Sequence, residues 1–289
     1  MMQKNRIVSA VAASICPDSV SPCRNASAAR MAPMTIRSNV IKPKLERVLR
    51  EESKLNVSEL VDNAEKQEKY IKCLSDYRRE KVLKQKNPNG RALSLGAGFL
   101  LSVALNKRGI IEKNTKYGFS DNGKPYLLDN PGISFNLSHS HERVMCVVAD
   151  SQFDLGCDVE LVRNGKEKIA ERFFTIDESN AISSESDEKR RAEMFFELWT
   201  LKESFLKCTG EGIGRPMNSF EFIRIENECD EYLTEGSYHL KTFTGNHPIY
   251  YGYKYALCYN LRDDGMNSDK CNDQIKNDDI EKCIYPIFM

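Results

Sequence analysis

The sequence predicts a mixed fold of helices and strands, α/β in class (α+β in arrangement), from three patterns. An apolar helical run covers Ala92 to Leu105. Short strand-like runs follow at Ile133 to Leu137, Val144 to Ala149 and Asp154 to Leu161. A second helix, Glu188 to Cys208, carries Ala192, Phe195, Phe196, Trp199 and Leu206 on one apolar stripe, and β-rich runs follow it from Ser219 on. With 289 residues and 40% hydrophobic content the chain can bury a sizeable core, as one large domain or two small ones.

Taken in order, residues 1–45 hold seven basic residues and one acid, Asp18, with a short apolar run from Ile7 to Ile15 behind Lys4 and Arg6. That pattern fits a presequence, an unstructured extension or a start upstream of Met31 or Met34; a disordered extension is expected. Glu- and Lys-dense helices follow at Lys44 to Arg50 and Ser58 to Tyr70, then a basic stretch from Tyr77 to Lys86. Asn87-Pro88-Asn89-Gly90 signals a turn, and the apolar helix starts at Ala92. Asp121 to Pro125 marks a tight turn between strands. Lys166 to Phe174 is helical, and Thr209-Gly210 closes the second long helix. Phe220 to Ile225, Tyr238 to Phe243 and Tyr250 to Tyr259 are expected strands, and Arg262 to Lys282 a polar tail ending in the apolar Ile284 to Met289.

Charge and cysteine usage exclude several classes. Forty-two basic residues balance forty-two acidic ones, against a sequence-independent grip on nucleic acid. No run approaches the ~18 apolar residues of a membrane span. The ten cysteines form no C-x-x-C pair, so free thiols in a reducing compartment, the cytoplasm, are expected.

Three constellations carry chemistry. In Gly156-Cys157-Asp158-Val159-Glu160, the two carboxylates fall on one face of a strand. Like charges that close repel unless a cation lies between them, and paired hard oxygens suit Mg2+; an exposed acidic strand face is the plain alternative. In Trp199 to Lys207, Glu203 and Lys207 share a helix face, as a simple ion pair or as a third carboxylate held by a Trp-anchored helix. Lys124, in the rigid Gly123-Lys124-Pro125 turn, and His139, in Phe135-Asn136-Leu137-Ser138-His139-Ser140, are suited to phosphate oxygens, with Arg78, Lys81 and Arg91 as further basic partners.

In this order and spacing the motifs resemble the Sfp-type 4'-phosphopantetheinyl transferases. The matching segments are Gly123 to Pro125, Phe135 to Ser140, Gly156 to Glu160 and Trp199 to Lys207, supported by Arg172-Phe173-Phe174-Thr175 and Gly210-Glu211-Gly212-Ile213. The resemblance implies a pseudo-dimeric α/β fold, with similar halves at 46–155 and 156–260, a tail at 261–289, and the active site between the halves. It implies Asp158, Glu160 and Glu203 as Mg2+ ligands. It implies coenzyme A contacts from Lys124, Ser138, His139, Lys202 and Lys207 and, by looser alignment, Arg78, Lys81 and Arg91. Cys157 stands where the family usually has Val or Ile, and a small hydrophobe is tolerable there. The extension before residue 45 has no family counterpart.

The implied reaction moves the phosphopantetheine arm of the co-substrate coenzyme A to a serine of an apo acyl or peptidyl carrier protein and releases 3',5'-ADP. Glu203 is the first choice for the base, with a metal-bound water as the alternative, and Lys207 and His139 stabilise the leaving side. A cytoplasmic monomer without nucleic-acid or membrane partners is expected. The competing readings are a metal-dependent phosphohydrolase or nuclease on the same carboxylates, and a non-catalytic carrier-binding module. The first leaves Lys124 and Ser138-His139 without a role. The second is expected to have lost a carboxylate or a phosphate Lys.

Overall fold

A computed structural model describes residues 57–225, 230–234, 238–243, 250–262 and 285–288. The expected extension (1–45) and most of the expected tail lie outside the described residues. Four helices come first: α1 Val57–Val61, α2 Ala64–Ile71, α3 Asp76–Leu83 and α4 Pro88–Asn106. A hairpin, β1 Tyr117–Phe119 and β2 Pro125–Leu127, leads to β3 Ile133–Ser140, β4 Arg143–Asp150 and β5 Phe153–Leu161. Helices α5 Glu167–Phe173, α6 Ile176–Ser184 and α7 Glu188–Thr209 follow. Strands β6 Ile223–Arg224, β7 Glu231–Thr234, β8 Tyr238–Thr242, β9 Tyr253–Leu261 and β10 Tyr285–Phe288 complete the order.

Among the described residues, besides the hairpin, there are two antiparallel sheets, ordered β10-β4-β3 and β5-β9-β8-β7-β6. Each is crossed by one long helix. Val144, Cys146 and Val148 of β4 face α4, against Leu93, Leu100 and Leu101. Phe205, Leu206 and Cys208 of α7 pack with Leu240, Ala256 and Cys258 of the second sheet. The alternate residues of β4, Met145, Val147 and Ala149, meet Phe153, Leu155, Cys157 and Val159 of β5 in a third core shared by both sheets. Period-two alternation thus lets β4 serve two cores at once. Cys157 is fully buried in the third, as a small hydrophobe would be.

Several boundaries depart from the sequence expectation. Asn87-Pro88 is not a turn but a helix start: Pro88 occupies the first turn of α4, where its missing N–H costs nothing, and the Asn87 side chain accepts from the Asn89 N–H at 2.9 Å. The expected strand from Phe220 shrinks to Ile223–Arg224, because Phe220 and Phe222 are buried against α7. Helix α6 has no counterpart in the sequence reading. It opens with a capping box between Thr175 and Glu178. The end of the expected tail is a strand: β10 pairs with β4, and Phe288 buries its ring against Tyr255 and Phe243. Among the described residues no helix is long and apolar enough to cross a membrane. The described cysteines are free, and Cys146, Cys157, Cys208 and Cys258 are buried.

Candidate active site

Gly156 is where the site begins. Its missing Cβ lets the backbone of α7 lie directly on β5; a Cβ would stand 1.9 Å from the Ser204 carbonyl and 2.3 Å from the Cys208 nitrogen. Asp158 lies two residues on, on the same face of β5, beside the helix turn that carries Glu203 and Lys207. Trp199 steadies that helix, half-buried against Phe173, Phe174 and Phe195.

The other wall comes from β3. Its edge runs alongside β5 in parallel, and side-chain oxygens take the place of a backbone ladder. The Asn136 Oδ1 accepts from the Cys157 N–H at 3.0 Å, the Ser138 hydroxyl from the Val159 N–H at 3.3 Å, and the Ser140 hydroxyl from the Leu161 N–H at 3.3 Å. Ser138 donates to Asp158 Oδ1 at 2.8 Å, and Ser140 to Glu160 Oε2 at 2.8 Å. The sequence reading quoted Ser140 in a motif without giving it a role, and left Asn136 as background. Their signal was a polar face repeating every second residue opposite Phe135 and Leu137.

Lys207 completes the centre. Its ammonium donates to Asp158 Oδ1 at 2.6 Å and to the Ser138 oxygen at 3.2 Å. Burial alone would lower this amine, but Asp158 and Glu203 outweigh it and hold it above the ordinary lysine value. Glu160 is raised, first by burial and then by Asp158, with Ser140, Arg163 and Lys207 pulling the other way. Glu203 is raised by burial, then by Asp158 and Glu160, against Lys207. The three carboxylates therefore share one electrostatic neighbourhood.

They do not close into a finished cage: among the described residues no three His, Cys, Asp or Glu side chains form a metal-binding group. Lys207 supplies the countercharge to Asp158 instead. The donor set nevertheless suits a hard divalent cation. Asp158 Oδ2 is buried without a hydrogen-bond partner among the described residues, and Glu160 and Glu203 are raised first by burial and then by the neighbouring carboxylates.

On the α4 side of β3, His139 lies near basic groups. Its imidazole is lowered by desolvation and then by Lys207, Lys81 and Arg78. Desolvation and Arg78 lower Lys81 in turn. Arg78 is 3% exposed, and its Nε has no partner among the described residues. His139, Lys81, Arg78 and Lys207 thus act on one electrostatic neighbourhood around the edge of β3.

Of the other expected phosphate contacts, Lys202 is contradicted by its burial in the core, and Lys124, Arg91 and Ser138 have protein partners in this structure. Lys202 faces the core with no exposure, in an ion pair with Glu178 at 3.0 Å; it donates to the Met217 and Phe220 carbonyls and lies over the rings of Phe174, Phe220 and Phe222. Burial pushes its amine down, against the pull of Glu178. Residues 202 and 203 are adjacent on a helix and so point about 100° apart; one serves the core and its neighbour the site. Lys124 spends two donors on the Leu155 and Cys208 carbonyls, both at 2.9 Å, and so ties the hairpin turn to the β5–α7 seam. Arg91 donates to the Gln85 carbonyl, closing the α3–α4 connection. The Ser138 hydroxyl is turned inward, onto Asp158. A cavity of about 490 Å3 opens at the Lys124 end of the seam, lined by Ser134, Asp154, Cys208 and Arg262 among others, and none of the three carboxylates lines it.

A family model described as ACPS, 4'-phosphopantetheinyl transferase superfamily, matches residues 154–258. The chain is similar to 4'-phosphopantetheinyl transferase Sfp of Bacillus subtilis (strain 168), with 30% identity over 197 residues, 67% of this chain and 85% of the relative. It is similar to a second 4'-phosphopantetheinyl transferase of Bacillus subtilis, 28% identical over 198 residues, 68% of this chain and 86% of the relative. Among solved structures, Thermotoga maritima holo-(acyl-carrier-protein) synthase aligns with a TM-score of 0.29 at 23% identity, over 37% of this chain and 61% of that one.

Proposed function

The chain belongs to the 4'-phosphopantetheinyl transferase superfamily, and from that premise we propose that it transfers the phosphopantetheine arm of coenzyme A to a serine of an apo acyl or peptidyl carrier protein, releasing 3',5'-ADP. The observation that carries this reading is the juxtaposition across one seam: Asp158, Glu160, Glu203 and Lys207 on the second sheet and its helix, with Arg78, Lys81 and His139 on the first half. Anionic and cationic groups side by side suit a ligand that carries phosphates and reacts at one of them. Both walls come from one chain, which supports action as a monomer. Coenzyme A and newly made apo carriers meet in the cytoplasm, and the buried free thiols are consistent with a reducing compartment.

Asp158, Glu160 and Glu203 would hold Mg2+, which when bound supplies positive charge to the pyrophosphate. The chain's own residues account for the rest. Arg78, Lys81 and His139 bind and orient phosphate oxygens. The carrier serine oxygen attacks the β-phosphorus, a new P–O bond forms, and the bond to the oxygen leaving with 3',5'-ADP breaks. Glu203, raised above the ordinary carboxyl value, takes the serine proton. Lys207, kept positive by Asp158, faces the charge that develops.

The test is an intact-mass assay on an apo carrier protein incubated with the enzyme, Mg2+ and coenzyme A, beside Glu203→Ala. A gain of one phosphopantetheine, absent without Mg2+ and severely reduced in the variant, supports the reading. An unchanged carrier with hydrolysed coenzyme A favours the phosphohydrolase; an unchanged carrier bound to the protein favours the binding module.

A further inference from the structure

We propose that Ser140 is a positioning residue: it holds Glu160 in the rotamer that turns one carboxylate oxygen toward the cation. The proposal rests on the reading of Asp158, Glu160 and Glu203 as cation ligands given above. The Ser140 hydroxyl has one proton and two lone pairs. One lone pair accepts from the Leu161 N–H at 3.3 Å, and the proton goes to Glu160 Oε2 at 2.8 Å. The backbone bond therefore fixes the direction in which the proton points.

Arg163 reaches the same oxygen, Oε2, at 3.6 Å, from a side chain that is 47% exposed. Both partners thus engage one oxygen, and among the described residues the other has no hydrogen bond or ion pair. Asp158 repeats the arrangement: Ser138 and Lys207 both take Oδ1, and Oδ2 is buried without a partner among the described residues. In each carboxylate a β3 hydroxyl and a cation occupy one oxygen, and the free oxygen remains for a ligand. Glu160 is the longer side chain, and ordering it costs more rotamer freedom than ordering Asp158 does. Ser140 meets that cost before any ligand arrives. The strand also holds its own control. Asn136 makes the same kind of contact with β5, at 3.0 Å to the Cys157 N–H, and no bond to a carboxylate.

The experiment measures Mn2+ binding by the full chain without coenzyme A, by calorimetry or by loss of the free-ion paramagnetic resonance signal. Wild type is compared with Ser140→Ala, Ser140→Thr and Asn136→Ala, and each is also melted thermally. Ser140→Ala is expected to bind Mn2+ about 10-fold more weakly, the low end of what losing an outer partner of a metal ligand costs. Ser140→Thr, which keeps the hydroxyl, restores most of the affinity. Asn136→Ala lowers the melting temperature and keeps the wild-type affinity. If Ser140→Ala fails to fold, Ser140→Cys carries the same expectation, since a thiol keeps the volume but donates weakly. Equal Mn2+ affinity in wild type and Ser140→Ala overturns the proposal, as does an equal loss in Asn136→Ala, which would make the row a structural seam only. A wild type that binds no Mn2+ overturns the carboxylate reading itself, and this proposal with it.

Discussion

The two halves share a frame and differ in what the frame carries. In each, one long helix crosses an antiparallel sheet: α4 on β10-β4-β3, α7 on the five-stranded sheet. From Ala92 to Leu105, α4 has no charged residue. Helix α7 sets Glu197, Lys202, Glu203 and Lys207 along its length, and each has a defined environment. The edge strands show the same contrast, with Asn136, Ser138 and Ser140 on β3 facing Asp158 and Glu160 on β5. A duplicated scaffold therefore does not mean duplicated chemistry. The second half supplies the carboxylates and Lys207, and the first supplies hydroxyls bonded to two of those carboxylates and a basic cluster at Arg78, Lys81 and His139.

Glycine substitutions break this comparison most severely. In the second half, Gly156→Ala drives a Cβ into the α7 backbone, 1.9 Å from an oxygen that no side-chain rotation can move away. Loss of soluble folded protein is expected, read by expression yield and circular dichroism. Glu203→Gln comes next, and it separates the chemistry of the second half from its fold. Transfer to carrier protein is expected to fall ~10²–10⁴-fold. The metal-free variant should melt higher than wild type at neutral pH. The sign follows from linkage: a carboxyl raised in the folded state costs stability once ionised, fully above its folded value, and that cost fades as pH falls toward the ordinary carboxyl value of 4.5. The melting difference should shrink across that window; a difference constant in pH would detach it from this titration.

Lys202→Met tests the corrected assignment. Removing one partner of a buried ion pair costs roughly 3–5 kcal/mol. The variant should lose that much in a denaturant titration. At a temperature where it remains folded, its KM for coenzyme A should stay near wild type. A large rise in KM with unchanged stability would restore Lys202 as a phosphate contact. The smallest effect belongs to the first half. At Gly98 a Cβ meets the Leu74 methyls, at 3.0 and 3.1 Å, and, at an ordinary contact distance of 3.5 Å, the Arg78 Nε. Those methyls can shift, and alanine gains about 1 kcal/mol of helix propensity over glycine. Gly98→Ala should therefore change stability by no more than about 1 kcal/mol, the mirror of Gly156→Ala.

What was legible in the sequence follows the same division. The motifs named Asp158, Glu160, Glu203 and Lys207 because charge at fixed spacing on a strand and a helix already implies a shared face. The long helices and β3, β4, β5 and β9 were visible in their hydrophobic periods. Lys202 was misassigned because a lysine beside a site residue is read as exposed; only its pairing with Glu178, from a helix the sequence reading did not contain, shows that it serves the core. Lys124 was read as a free cation because the carbonyls that capture it belong to β5 and α7. Asn136 and Ser140 went unassigned for a similar reason. Both accept from backbone N–H groups of β5, which have no residue identity to notice, and the Ser140–Glu160 bond exists only because the fold lays β3 beside β5.

Strand β10 ties the late part of the chain to the early one. It hydrogen-bonds along β4, so the first sheet is three strands wide only once residues 285–288 have returned to it. During synthesis, β3 and β4 leave the ribosome with one flank of β4 still bare, and the half that holds the basic cluster waits on residues translated long afterwards. An affinity tag or fluorescent fusion placed beside Phe288 would thus strain the opposite half of the enzyme from the one it adjoins in sequence.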